Sequence, residues 1–176
     1  MKTILLGITG SIAAYKAADL ANQLTKIGYS VDVVMTESAV KFITPLTLQA
    51  LTKNKVYTDM FDEITPEEIK HISLAKKADV CIIAPATANI IGKIANGIAD
   101  DFLSTVILAL KDKPVFIAPA MNTNMYENPI VQENIEKLKA RGFLIIEPKE
   151  SMLACGDLGK GAMADVSEIM DRIFTS

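Results

Sequence analysis

The chain has 176 residues, half of them apolar, enough to bury the core of one domain and little more. A net charge of −3 and a pI near 5.2 leave no broad cationic surface for a nucleic-acid backbone or an anionic bilayer, so neither partner is expected. The opening apolar run is too short for a secretory signal, no segment approaches the roughly 18 apolar residues of a membrane span, and two cysteines fit a reducing compartment. A cytoplasmic protein with a single domain over 1–176 is therefore expected.

The first strand-length apolar run is Thr3 to Ile8, and it gives way to Thr9-Gly10-Ser11. At such a strand-to-helix turn the unpaired backbone N–H groups and the helix dipole favour a phosphate. Gly10 lets the backbone approach closely and Ser11 adds a hydroxyl; the segment reads either as a mononucleotide cradle or as an ordinary N-cap. It is neither the dinucleotide G-x-G-x-x-G nor the triphosphatase loop. Ala17, Leu20, Ala21, Leu24 and Ile27 then share one helical face, with Gly28 as the stop. The next strand, Val31 to Met35, leads into Thr36-Glu37-Ser38, again a cap or a set of ligand donors.

An acidic stretch, Asp59 to Glu68, precedes His71, the only histidine. Its unperturbed pKa suits proton transfer near neutrality, although a lone histidine is more often an incidental surface or helix residue. Val80 to Ala84 is the third strand, in which Cys81 reads as a buried small hydrophobe, and Pro85-Ala86-Thr87-Ala88-Asn89 follows it. A helix from Phe102 to Leu110 is apolar nearly all round. The strand Val115 to Ala118 leads into Pro119-Ala120-Met121-Asn122, where Asn122 offers amide donors to a carboxylate. Met121 and Met125 either line an apolar ligand wall or pack in the core, and core packing is the expectation for Met125. Asn128-Pro129 opens a helix through Ile130, Ile135 and Leu138 that Gly142 closes, and Phe143 to Ile146 is the last strand of the series. Ser151 to Met163 reads as a Gly-rich loop in which Cys155 is accessible, either reactive or incidental. Two distant cysteines and one histidine make no zinc site, so no metal is expected.

Short, nearly continuous Ile/Val-rich strands alternating with helices predict an α/β fold: a doubly wound parallel sheet, Rossmann- or flavodoxin-like, with helices on both faces. Such sheets bind ligands beyond the carboxyl ends of their strands. The small and polar segments after each strand are therefore the candidate site, and their uncharged donors suit FMN.

Three motifs carry a resemblance over essentially the whole chain: His71-Ile72-Ser73-Leu74-Ala75 running into Ala78-Asp79, Pro119 to Met125, and Leu153-Ala154-Cys155-Gly156-Asp157 with Gly159, Gly161 and Met163. In order and spacing they resemble the homo-oligomeric flavin-containing cysteine decarboxylases. The resemblance implies FMN held by Gly10, Ser11, Ile12, Thr36, Ser38, Thr87, Ala88, Asn89, Ala120 and Met121. It implies a substrate contacted by Asn122, Leu153, Ala154, Cys155 and Met163, with His71, Asn122 and Cys155 as the catalytic set. The clamp cysteine points to the branch acting on 4'-phosphopantothenoylcysteine in coenzyme A biosynthesis. There the implied route is oxidation of the substrate to a thioaldehyde, loss of CO2 to an enethiol, and reduction to 4'-phosphopantetheine with no net redox change. His71 would serve as base, Asn122 would hold the carboxylate, Cys155 would supply a proton, and the Ser151 to Met163 loop would act as a lid.

Three positions depart from the family pattern. Ile90 stands where a threonine is usual, Tyr126 where tryptophan is common, and Ala162 where an arginine is common. A trimer or a dodecamer built from trimers is implied, with FMN at a subunit boundary. The phosphopantothenate-cysteine ligase, fused in many relatives, would be a separate protein. Flavin prenyltransferases, peptidyl-cysteine decarboxylases and non-enzymatic flavin-binding subunits are the alternatives.

Overall fold

The computed structural model describes residues 2–61, 69–152 and 158–175. The elements follow in chain order: β1 (Thr3–Ile8), α1 (Ala14–Lys26), β2 (Ser30–Met35), α2 (Glu37–Val40), α3 (Pro45–Thr52), β3 (Val56–Tyr57), α4 (Lys70–Lys77) and β4 (Val80–Ala86). Then come α5 (Ala88–Asn96), α6 (Phe102–Ala109), β5 (Val115–Pro119), α7 (Thr123–Tyr126), α8 (Pro129–Ala140), β6 (Leu144–Ile145), β7 (Lys149–Met152), β8 (Leu158–Ala162) and α9 (Val166–Phe174). The central sheet has six parallel strands in the order β3-β2-β1-β4-β5-β6. The chain winds outward from β1 through β3, returns to β4 on the other side, and winds outward again. The fold is thus the expected doubly wound sheet, with its topological switch between β1 and β4.

Alternation along the strands divides the core between the two faces. Ile4, Leu6 and Ile8 of β1 pack with Leu20 and Leu24 of α1, Leu48 of α3 and Ile169 of α9. Leu5, Val34 and Ile83 meet α4, α5, α6 and α8 through Leu74, Ile91, Val106 and Leu138. A Cβ on Gly7 would lie 2.6 Å from Leu103 Cδ1, so the missing side chain lets α6 rest directly on β1. Cys81 is fully buried, and burial pushes its thiol up to about 12, so it is a protonated core residue. Among the described residues no helix is long and apolar enough to cross a membrane.

Several features differ from the sequence expectation. β3 was not expected; at two residues, Val56 and Tyr57, it is too short to carry a periodicity. Ile27 and Ile130 do not join the buried faces of their helices: Ile27 is the C-cap of α1 and Ile130 lies in the first turn of α8, and both are exposed. Leu108 is half exposed on α6. The stretch expected as a loop from Ser151 to Met163 contributes instead to an antiparallel ribbon, in which β7 pairs with β8 from Met152–Leu158 to Lys149–Ala162. Glycine content disguised those strands as loop. At Gly159 and Gly161 the glycines serve close backbone approach, not turning.

Candidate functional site

The segments that follow β1, β2, β4 and β5 are tied laterally to one another and to β8. Thr36 N donates to Ile8 O at 3.0 Å, Thr9 N to Pro85 O at 3.3 Å, Ala120 N to Ala86 O at 2.9 Å, and Met121 N to Gly161 O at 2.9 Å. Thr9 binds two segments with one side chain: its hydroxyl donates to Pro85 O at 2.7 Å and accepts from Thr87 N at 3.0 Å. These ties gather the carboxyl ends of β1, β2, β4 and β5, together with β8, around one open cleft of about 970 Å³.

The first wall is the approach to α1. Helix geometry begins only at Ala14, with Ala13 as an N-cap that lends no side-chain bond. Ser11 therefore caps the preceding turn: its Oγ accepts from Ala13 N at 3.2 Å and its carbonyl from Ala14 N at 2.9 Å. Ser11 N is taken by Thr9 O at 2.9 Å, whereas the N–H groups of Gly10 and Ile12 have no protein partner among the described residues. A Cβ on Gly10 would sit 2.4 Å from Ser38 Cβ, so the turn closes onto the start of α2. Thr36 and Thr87 are N-caps, accepting from Ala39 N at 3.3 Å and Ile90 N at 3.4 Å. They line the cleft as well, so capping and a place at the rim are compatible for both threonines.

Gly10, Ser11, Ile12, Thr36, Ser38, Thr87, Ala88, Asn89, Ala120, Met121, Asn122 and Met163 all line this cleft. The Gly10 and Ile12 N–H groups and the neighbouring hydroxyls at one end, and the apolar surfaces of Ile12 and Met121 elsewhere, fit FMN: a phosphate cradle and a wall for a flat ring. Met125, expected in the core, is instead half exposed at the cleft. The four-residue helix α7 has too few turns to bury that position.

His71 does not line the cleft formed by one copy of the chain. It lies in the first turn of α4, partly buried. Helices of a parallel sheet run against the strands, so His71 is at the same edge as the cleft, on a helix that packs against α6 and β1. Leu153, Ala154 and Cys155 lie outside the described residues.

Sequence reasoning assigned no role to several cleft residues. Tyr15 and Phe42 add exposed aromatic surface, and Lys16, Glu37, Lys93, Asp100 and Asp101 bring charge. Lys93 Nζ lies 2.7 Å from both Asp100 Oδ1 and Asp101 Oδ2. Burial favours the neutral amine, but the two carboxylates outweigh it and lift the Lys93 pKa. Burial likewise opposes ionisation of Asp101, yet hydrogen bonds from Lys93 and Ser104 hold its carboxyl below the usual range. Asp101 followed three residues later by Ser104 forms a capping box for α6, a spacing visible in the sequence.

The Thr9 ties yield an expected result. Thr9→Val keeps the shape but removes the hydroxyl that Thr87 N and Pro85 O share, costing about 1–3 kcal/mol of stability. FMN titration of the apoprotein should show weakened binding for Thr9→Val and near-normal binding for Thr9→Ser. Equal affinity for both would remove Thr9 as the element that sets the rim.

Comparison with known proteins agrees with this geometry. The flavoprotein family model matches residues 1–176. A probable phosphopantothenoylcysteine decarboxylase of Streptococcus mutans is 56% identical over 173 residues, covering 98% of this chain and 97% of that protein. The coenzyme A biosynthesis bifunctional protein CoaBC of Bacillus subtilis is 52% identical over 169 residues, 96% of this chain but only 41% of its own length. Among solved structures, a PPC decarboxylase mutant complexed with pantothenoylaminoethenethiol superposes with a TM-score of 0.90 at 37% identity, covering 99% of this chain and 98% of that one. The peptidyl-cysteine decarboxylase EpiD reaches a TM-score of 0.83 at 29% identity, covering 99% of each chain.

Proposed function

The chain belongs to the flavoprotein family, and from that premise we propose that it catalyses FMN-dependent decarboxylation of 4'-phosphopantothenoylcysteine to 4'-phosphopantetheine and CO2. The observation that carries this reading is the gathering of an uncharged phosphate cradle and the Asn122 amide on one cleft. The sequence similarity to a monofunctional relative of matching length gives the substrate class. A peptidyl-cysteine decarboxylase shares the fold at lower identity.

FMN bound here would supply a reversible electron acceptor for the substrate Cβ–S unit, which suits a reaction with no net redox change. Gly10 and Ile12 N–H groups with the Ser11 and Ser38 hydroxyls hold the cofactor phosphate. Thr87, Ala88 and Asn89 at the start of α5, and Ala120 with Met121, hold the remainder. Asn122 binds the substrate carboxylate. Its Oδ1 accepts from Asn124 N at 2.8 Å as the N-cap of α7, which fixes how the amide is turned. Met163 at the cleft, with Leu153 and Ala154, contacts the pantothenoyl arm, and Cys155 gives the proton that completes the product.

His71 acts as the base from a neighbouring copy of the chain, since within one copy it stands outside the cleft. This is the reading of a trimer, or a dodecamer of trimers, with a site at each boundary. A cytoplasmic setting and a phosphopantothenate-cysteine ligase as supplier of the substrate complete the proposal.

The deciding measurement is the absorption spectrum of the purified protein before and after 4'-phosphopantothenoylcysteine, with CO2 release followed in parallel. A bound-flavin spectrum and one CO2 per substrate consumed are expected. A colourless protein that riboflavin phosphate fails to reconstitute, or a flavoprotein that releases no CO2, would overturn the assignment.

A further inference from the structure

The ribbon crosses the Asn122 loop instead of joining the central sheet. A Cβ on Gly159 would lie 2.4 Å from Thr123 Oγ1, and one on Gly161 would lie 2.3 Å from Met121 O. Two glycines on one face of β8 thus let its backbone rest on residues 121–123. The residue between them, Lys160, points elsewhere, as strand alternation requires. Its Nζ lies 3.0 Å from Glu147 Oε2 and 5.6 Å from the centre of the Tyr126 ring.

Glu147 follows β6 and collects partners from three other elements. Tyr126 Oη of α7 donates to Oε2 at 2.9 Å, Lys160 of β8 approaches the same oxygen, and Lys139 Nζ of α8 lies 3.4 Å from Oε1. The two ion pairs alone hold little, because both lysine side chains and the Glu147 side chain are 40–49% exposed. Tyr126 differs, being 6% exposed, so its hydroxyl fixes one carboxylate oxygen from the protein side. Burial and acceptance by Glu147 raise the Tyr126 pKa, which keeps the phenol a donor at any working pH. Burial opposes the Glu147 charge, but hydrogen bonds from Lys160 and Tyr126 hold that carboxyl below its usual range.

We propose that Tyr126, Glu147 and Lys160 form a latch that presses β8 onto the Asn122 loop, making Tyr126 a positioning residue for the substrate-binding amide. A two-stranded ribbon is marginal by itself and needs such anchoring. The latch requires a phenol, and position 126 is one of the three at which this chain departs from the family pattern it resembles. The inference rests on the assignment of Asn122 to the substrate carboxylate.

The test compares wild type, Tyr126→Phe, Lys160→Gln and the double variant as full-length, FMN-loaded protein. It reads flavin content, kcat and KM for 4'-phosphopantothenoylcysteine, and amide exchange at Met121, whose N–H is bonded to Gly161. Tyr126→Phe should keep its flavin, exchange about tenfold faster at Met121 and raise KM by about tenfold. Lys160→Gln should shift both in the same direction, and the double variant should be little worse than Tyr126→Phe, because the two groups act through one carboxylate. Unchanged exchange and KM in Tyr126→Phe, fully additive effects, or flavin loss in step with activity would each overturn the latch. Failure of the wild type to release CO2 would instead remove the functional reading, and Met121 exchange would still decide whether the latch exists.

Discussion

Asn122→Asp should fold and bind FMN like the wild type, yet lose about a thousandfold in kcat/KM for 4'-phosphopantothenoylcysteine, mostly through KM. The substitution separates the two duties of this side chain. As the N-cap of α7, Asn122 accepts from Asn124 N at 2.8 Å, and aspartate caps a helix equally well. Facing the cleft, however, it would set a carboxylate where an amide donor is needed, against the carboxylate of the substrate. Loss of a hydrogen bond to a charged group costs about 1.5–3 kcal/mol, and like-charge contact adds several more. Steady-state kinetics and flavin absorbance check this directly; a loss smaller than about tenfold would mean that the substrate acid group binds elsewhere.

His71→Asn should be inactive by about 10²- to 10⁴-fold, the range for loss of a positioned proton acceptor, with flavin content unaltered. A sharper result is expected when its chains are co-assembled with Asn122→Asp chains. If each site takes His71 from one copy and Asn122 from the next, random mixing restores both wild-type residues at roughly a quarter of the boundaries. Activity of the mixed assembly should therefore rise far above either parent. Mixed oligomers no more active than the parents would place His71 and Asn122 in the same copy, against the placement of α4 outside the cleft.

The fold was legible because parallel strands buried on both faces announce themselves. Thr3–Ile8 is apolar apart from its first residue and matches β1 end to end. The rim was legible because small polar residues recur where those strands stop. Thr9 was harder to see: its importance lies in bonds to Pro85 and Thr87, 76 and 78 residues away, and no local pattern encodes such a partner. The ribbon was hidden because the glycines that let it lie close to its neighbour are also the residues that suggest a loop. Lys93 and its two aspartates carry no local signal, since only the packing of α5 against α6 brings them together at the cleft.

The cleft sits at the end of a ladder of six strands, while β8, paired only with β7 among the described strands, borders it through residues 161 and 162 without belonging to that ladder. Its backbone tie to the rim, from Met121 N to Gly161 O, is separate from the rungs of the ladder, so losing it leaves every rung intact. Detachment of the ribbon and collapse of the sheet are therefore separate events.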